Sequence, residues 1–287
     1  MLCYINGTYL KEKEAKISVL DLGLIRGYGV FDYLRTYKKR PFHLWEHLLR
    51  LKYSVEQIGL CLPEPLKKIQ EIILHLVEQG SFEEAGIKII VTGGLSPDQL
   101  MPVSNESLII LVYPLKAFPK DSYPEGIKVI TTPLMRSFPD TKTLQYTPAI
   151  LALKQGKIQN AQEALYLNHQ KEILEATTSN FFAFKKDTLI TPSSKEILFG
   201  ITREVVLNLA KDLFKIELRS IAYEELASLD ETFLSSSNKE ILPIIQIDNI
   251  SINNSQAGPK TRLLRERFND YTKQKEWPAL EIPRYKM

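Results

Sequence analysis

The sequence predicts an α+β protein of two unequal domains, and three observations carry that prediction. Strand-like runs and helix-spaced runs are interleaved along the whole chain, with neither type confined to one end. The stretch 114–124 holds three prolines, two lysines and little to bury, which marks a linker. A length of 287 residues is enough for two hydrophobic cores. A small N-terminal domain is expected over 1–117 and a larger one over 124–287, with 118–123 between them.

The elements follow in order. Residues 2–10 read as a hairpin turning at Asn6-Gly7, because both turn positions must tolerate positive φ. Leu44, Leu48, Leu51, Val55 and Ile58 recur at helical spacing, which predicts a helix over 43–60. A second helix is expected over 65–78, with Pro65 in its first turn and Gly80 after its end. The β-branched runs 86–91 and 108–113 read as buried strands. Beyond the linker come a strand at 127–131, a helix at 147–157 and several short strands within 164–184. Val205, Val206, Leu209 and Leu213 share the inner side of a helix over 202–214. Two more strands, 230–234 and 243–247, precede a charged final helix over 261–271.

Bulk properties exclude several function classes. Apolar residues make up 44% and charged residues 25%, as in ordinary globular proteins. A net charge of +3, with the basic residues scattered, provides no electrostatic footprint for nucleic acid. Cys3 and Cys61 suit neither a disulfide framework nor a zinc site, so a reducing, cytoplasmic setting is expected. No apolar run approaches the ~20 residues that span a bilayer, and the N-terminus shows no signal-peptide pattern. His43 and His47 lie one helical turn apart, yet with His75 and His169 they form no metal-ligand spacing, so no metal is expected. Neither Gly93-Gly94 nor Gly27-Tyr28-Gly29 makes a dinucleotide fingerprint.

Four features point instead to chemistry. Lys142 follows the turn Pro139-Asp140-Thr141 and precedes the apolar Leu144, so it sits at the edge of an element instead of on a charged helix face. An amine so placed can serve Schiff-base chemistry when desolvated. Glu175 lies inside the apolar run Ile173-Leu174-Glu175-Ala176, where alternation permits an exposed place on an edge strand, while a buried carboxylate would require a partner such as a protonated pyridine nitrogen. Gly200-Ile201-Thr202 opens a helix, and Ser235-Ser236-Ser237-Asn238 follows a strand. Each is also an ordinary N-cap or turn, and each could bind an anion. A lysine, a carboxylate and two anion-binding clusters are the parts needed to hold pyridoxal phosphate.

Their joint order resembles the class IV, or fold-type IV, pyridoxal-phosphate aminotransferases. That family includes branched-chain aminotransferases, D-amino-acid aminotransferases and aminodeoxychorismate lyases. The resemblance covers nearly the whole chain, from Leu20-Asp21-Leu22-Gly23 through Phe31-Asp32-Tyr33-Leu34-Arg35 to Lys239-Glu240-Ile241-Leu242-Pro243. It implies a small α+β domain, a larger pseudo-barrel domain and a homodimer. By this resemblance Lys142 is the Schiff-base lysine and proton shuttle, and Glu175 takes the pyridine N–H. Arg50, Ile201, Thr202, Ser236 and Ser237 match the phosphate-binding positions. Leu198 matches the residue packed on the ring, Thr178 the polar residue beside it, and Tyr146 the partner of the phenolic oxygen.

Phe31, Tyr33, Arg35 and Asp98 are the expected substrate residues. D-amino-acid aminotransferases carry an Arg and a His two residues apart after Gly93-Gly94; this chain has Asp98 and Leu100 there. Aminodeoxychorismate lyases usually show Thr residues in place of Asp32-Tyr33. Branched-chain enzymes show an aromatic, an acid and an Arg in this segment, matched by Phe31, Asp32 and Arg35 with Asp for the usual Glu. The resemblance therefore implies transamination from an apolar or branched-chain L-amino acid to a 2-oxo acid. Release of pyruvate and 4-aminobenzoate from aminodeoxychorismate, and D-amino-acid transamination, are the alternatives on the same scaffold. A cofactor-binding or plain globular protein without catalysis is a third reading.

Overall fold

The structure is a computed structural model describing residues 1–193 and 195–282. The described chain divides into two units: Met1–Lys116 with Thr141–Gln145, Glu281 and Ile282, and Ala117–Asp140 with Tyr146–Leu280.

The first unit contains strands β1 (Leu2–Ile5), β2 (Thr8–Lys11), β3 (Gly29–Tyr37), β4 (Arg40–Pro41), β5 (Ala85–Thr92) and β6 (Ser107–Pro114). Its helices are α1 (Leu22–Ile25), α2 (Leu44–Gln57) and α3 (Leu66–Gln79). The strands form one sheet in the order β2-β1-β6-β5-β3-β4. Asn6 and Gly7 have φ of 44° and 93°, so the first hairpin turns where the sequence places it. Alternation then separates the sheet's faces. Val30, Leu34, Ile87, Ile89, Val91, Leu108, Ile110 and Val112 point to one side and form a core with Leu48, Leu51 and Val55 of α2 and Ile69, Ile73 and Leu76 of α3. Phe31, Tyr33 and Tyr37 point to the other side and are half-buried.

The segment after Asp140 belongs to this first unit because its backbone pairs with β3. Phe31 N–H donates to Lys142 C=O (2.8 Å), and Leu144 N–H donates to Gly29 C=O (3.0 Å). Val30 and Thr143 form an antiparallel bridge between them. Residues 142–144 thus satisfy the part of the β3 edge that the short β4 does not reach.

The second unit contains α4 (Ser122–Glu125), β7 (Ile127–Thr132), α5 (Thr147–Ile158), β8 (Glu163–Leu167), β9 (Glu172–Ala176), β10 (Asn180–Lys185) and β11 (Thr188–Thr191). It continues with α6 (Ile201–Ala210), β12 (Lys215–Leu218), β13 (Ile221–Ala222), β14 (Glu231–Ser236), β15 (Glu240–Ile247), β16 (Ile250–Ser251) and α7 (Pro259–Lys273). The path β10-β14-β15-β7-β8-β9 returns on itself, because β9 also pairs with β10 at Glu175 and Asn180. This closure makes the barrel-like sheet that the resemblance implied. The core inside it includes Phe181, Leu165, Val129, Leu234 and Leu242. Outside it, Phe182 and Phe233 stack with centroids 4.8 Å apart.

The helix expected over 202–214 ends at Ala210, and β12 begins at Lys215. The inward Leu213 therefore belongs to a turn, which periodicity cannot separate from one more helical turn. No helix among the described residues is long and apolar enough to cross a membrane.

Candidate active site

Among the candidate residues of the first unit, Lys142 comes first. Its carbonyl is held by Phe31, and its N–H donates to Ser54 Oγ of α2 at 3.3 Å. Both backbone groups are committed, so the side chain's origin is fixed. Lys142 Nζ lies 4.6 Å from the centroid of the Phe31 ring. An ammonium against an aromatic face is attracted by the ring quadrupole, and here the lysine stem is half-buried.

The alternation of β3 decides what its other residues can do. Tyr33 shares the half-buried face with Phe31, and burial, then the neighbouring Tyr113 phenol, pushes its hydroxyl up to about 12. Tyr33 remains a neutral hydroxyl at physiological pH. Arg35 is on the same side, paired with Glu84 at 3.4 Å and lying 4.3 Å over the Tyr37 ring. Lys88 of β5 stands directly across from Tyr33, and its Nζ is 5.4 Å from the Phe31 centroid. Sequence reading passed over Lys88; the alternation of β5 alone would place it opposite Ile87 and Ile89, on the face away from the core.

Asp32 points the other way, into α2. Arg50 donates to it through Nε (2.8 Å to Oδ2) and Nη2 (2.8 Å to Oδ1), and His47 Nδ1 lies 2.7 Å from Oδ1. All three side chains are buried. Burial by itself would raise the Asp32 carboxyl, but the Arg50 and His47 partners outweigh it and hold the group far below the usual carboxylate range. Burial lowers His47 despite the carboxylate beside it. Arg50, expected as a phosphate ligand, is thus a buried guanidinium oriented by Asp32.

Asp98 lies on an exposed loop of the same unit. Its Oδ1 is 2.7 Å from Ser96 Oγ and accepts N–H from Leu100 and Met101, both at 2.9 Å. The Ser96 hydroxyl, then the two amides, hold its pKa down to about 2, so the loop carries a permanent negative charge shaped by its own backbone.

In the second unit Glu175 occupies the end of β9 where the ring closes. It is 2% exposed. Oε2 accepts from Asn180 Nδ2 and from Leu198 N–H, both at 3.3 Å, while Oε1 faces Arg136 Nε at 3.3 Å. Burial works against the Arg136 charge, but Glu175 more than compensates and raises its pKa. Arg136 also donates to Thr177 C=O at 3.0 Å. Asn180 binds Leu198 C=O at 2.7 Å, so one amide orients both Glu175 and the residue expected against the ring. Asn180 was visible in Glu175-Ala-Thr-Thr-Ser-Asn180, but nothing in that string marks it as a cross-barrel tie.

Ile201 and Thr202 form the buried first turn of α6, after Gly200. A Cβ at Gly200 would lie 2.1 Å from Asn180 Oδ1, so glycine is required for this close approach. Ser236 ends β14 and Ser237 lies in the following turn; both are half-buried. Thr178 is exposed, and its hydroxyl donates to Glu163 Oε2 at 3.1 Å. Tyr146 is the N-cap residue of α5 and half-buried.

These residues fit a phosphorylated pyridine cofactor. Ser235 Oγ and Asn238 Oδ1, flanking Ser236 and Ser237, are buried without a hydrogen-bond partner among the described residues. Buried polar atoms of that kind are normally satisfied by a ligand or water. Glu175 combines a carboxylate held at Oε2 with an Oε1 directed at a cation, which suits a charged N–H partner.

Comparison with known proteins agrees with this chemistry. The amino-transferase class IV family model matches residues 29–247. A branched-chain-amino-acid aminotransferase assigned in Methanocaldococcus jannaschii is 32% identical over 279 residues, covering 94% of this chain and 96% of its own. A D-alanine aminotransferase of Staphylococcus epidermidis is also 32% identical, over 277 residues, with 93% and 96% covered. Among solved structures, a T.th. branched-chain amino acid aminotransferase with pyridoxamine 5'-phosphate superposes with a TM-score of 0.88 at 26% identity, covering 94% of this chain and 93% of that one.

Proposed function

This chain belongs to the class IV aminotransferases, enzymes that depend on pyridoxal phosphate, and from that premise we propose that Lys142 works on an apolar or branched-chain L-amino acid with a 2-oxo acid as acceptor. The bound cofactor would supply the electron sink for the donor's Cα electrons. Lys142 provides the amine that carries the cofactor between turnovers and moves the proton at the donor's Cα. The observation that carries this reading is the pinning of Lys142: backbone bonds to Phe31 and Ser54 fix its origin, and its amine rests on the Phe31 ring.

Glu175 holds the pyridine N–H, with Arg136 Nε 3.3 Å from its Oε1. Leu198 packs on the ring and Tyr146 reaches the phenolic oxygen. Arg50, oriented by Asp32, and the groups at Ile201, Thr202, Ser236 and Ser237 bind the phosphate. Phe31 and Tyr33 form the apolar wall for the donor side chain, with Lys88 as the nearby cation for a carboxylate.

The donor's handedness rests on Asp98. The D-specific members of the family bind the substrate carboxylate with an Arg and a His in this loop, and an aspartate held ionised would repel it. Of the two relatives of equal identity, one is named for branched-chain amino acids and the other for D-alanine. The deciding experiment is a donor panel of L-leucine, L-valine, D-alanine and aminodeoxychorismate, read by loss of the lysine-bound cofactor absorbance and its return with a 2-oxo acid. Faster reaction with D-alanine, or pyruvate release needing no 2-oxo acid, would sink the proposed substrate class.

A homodimer is part of the same proposal. Val19, Leu24, Leu100, Met101 and Val103 are 51–73% exposed. The segments that carry them are joined by Leu22 N–H to Gly94 C=O (2.9 Å) and Arg26 Nε to Gln99 C=O (3.0 Å). A patch of this kind marks an association surface. Sedimentation at micromolar concentration tests it, and a monomer there would count against it.

A further inference from the structure

Lys239 is a buried lysine with an unusually complete set of side-chain partners. Its Nζ donates to Thr178 Oγ1 (2.6 Å), Glu163 Oε2 (2.7 Å) and Ser179 Oγ (3.0 Å). An ammonium has three N–H donors, and here each has an acceptor. The residue is 7% exposed. With all three donors engaged, this side chain has none left to direct at a substrate. Its function is geometric.

The geometry joins three pieces of chain that are far apart in sequence. Glu163 begins β8, Thr177–Ser179 form the turn between β9 and β10, and Lys239 ends the turn between β14 and β15. Lys239 N–H donates to Ser236 Oγ at 3.3 Å, so the same residue also tethers the start of its own turn. Glu163 is itself fully engaged: Thr177 Oγ1 and Ala164 N–H donate to Oε1, and Thr178 Oγ1 and Lys239 donate to Oε2. Burial alone would raise this carboxyl, but Lys239, then the Thr177 hydroxyl and the Ala164 N–H, hold it below its ordinary value. The Thr177–Ser179 turn begins two residues beyond Glu175, and Ser236 and Ser237 are the expected phosphate contacts.

We propose that Lys239, through its pair with Glu163, is a positioning residue that sets the spacing between the turn after Glu175 and the Ser236–Ser237 turn, and so fixes the two ends of the cofactor site. The proposal rests on the reading that Thr178 and Ser236 contact the cofactor. It adds that neither turn holds its place without the ammonium between them. A buried pair is a poor source of net stability, whereas a fully hydrogen-bonded one selects a single arrangement.

The test uses full-length apoprotein titrated with pyridoxal phosphate by absorbance, with thermal unfolding of the same samples. Lys239→Met is expected to weaken cofactor affinity by about ten- to a hundredfold, the equivalent of losing charge-assisted hydrogen bonds. Lys239→Met/Glu163→Gln removes both charges, so its apoprotein melting temperature should return toward the parent value while the affinity stays low. Lys239→Arg, which keeps the charge and donors, should recover part of the affinity. Recovery of affinity together with stability in the double variant would reduce the pair to a structural strut and overturn the role. So would parental affinity in Lys239→Met. Thr178→Val and Ser236→Ala distinguish the failure of the underlying reading. If both bind the cofactor as the parent does, the site assignment falls and this role falls with it; if both weaken while Lys239→Met does not, the role alone is lost.

Discussion

The two units present their functional side chains by different means. In the first, an open sheet with two unlike faces lets one strand serve both: β3 sends Asp32 toward α2 to hold Arg50, and sends Phe31 and Tyr33 to the opposite face. In the second, the sheet closes on itself, and the expected functional groups stand at strand ends and turns. Glu175, next to last in β9, is half of the closing pair, Ser236 ends β14, and Thr178 lies in a turn. An open sheet assigns roles by alternation, which is local. A closed one assigns them by which ends meet, which is not.

The largest test of this contrast is Lys142→Ala, expected to lower transamination by about a thousandfold or more, the scale of a lost proton-transfer group and nucleophile. Borohydride reduction followed by mass spectrometry of peptides should show the cofactor on Lys142 in the parent and on no lysine in the variant. Labelling of another lysine would move the chemistry away from the β3 edge.

The face-alternation half of the comparison depends on Asp32. Asp32→Ala leaves Arg50 buried without its carboxylate and should cost about 3–5 kcal/mol by chemical denaturation. A carboxylate with a depressed folded pKa adds stability above its unfolded value, near pH ~4, and loses it as pH falls toward the folded value. The parent is therefore expected to lose stability below about pH 4 more steeply than Asp32→Asn. Equal slopes in acid denaturation would remove Asp32 from this role.

Gly200→Ala tests the strand-end half. The added carbon forces Asn180 from its place, and with it Glu175 and Leu198, at an expected cost of about 1–3 kcal/mol and weaker cofactor binding. Unchanged cofactor affinity would show that Asn180 does not orient these residues.

The smallest effect is expected at a strand end that serves only the fold. Glu231 of β14 accepts N–H from Lys260 (3.0 Å) and Thr261 (2.7 Å) and so caps α7. Glu231→Gln should cost about 1 kcal/mol in stability and leave catalysis intact. A loss of activity there would mean that the second unit's strand ends act as one cooperative system.

Much of this molecule was legible one segment at a time. The Asn6-Gly7 hairpin, the helices at Leu44–Gln57 and Leu66–Gln79, and the strands carrying Ile87 and Ile110 lie where periodicity and turn chemistry place them. The order of Lys142, Glu175, Gly200-Ile201-Thr202 and Ser236-Ser237 was enough to point to the cofactor, because each has a distinct chemical function that composition alone can state. Alternation along β3 and β5 could have revealed that Asp32 and Lys88 face opposite ways.

Tertiary structure decided the pairings. That Arg50 meets Asp32, that Asn180 ties Glu175 to Leu198, that Lys239 reaches Glu163 across 76 residues, and that Lys142 runs along β3 are all consequences of register and ring closure. A residue's own neighbours determine its conformation and the face it occupies. What lies opposite is set by strands distant in sequence, whose alignment is fixed only when the whole sheet's hydrogen bonds and core are satisfied together.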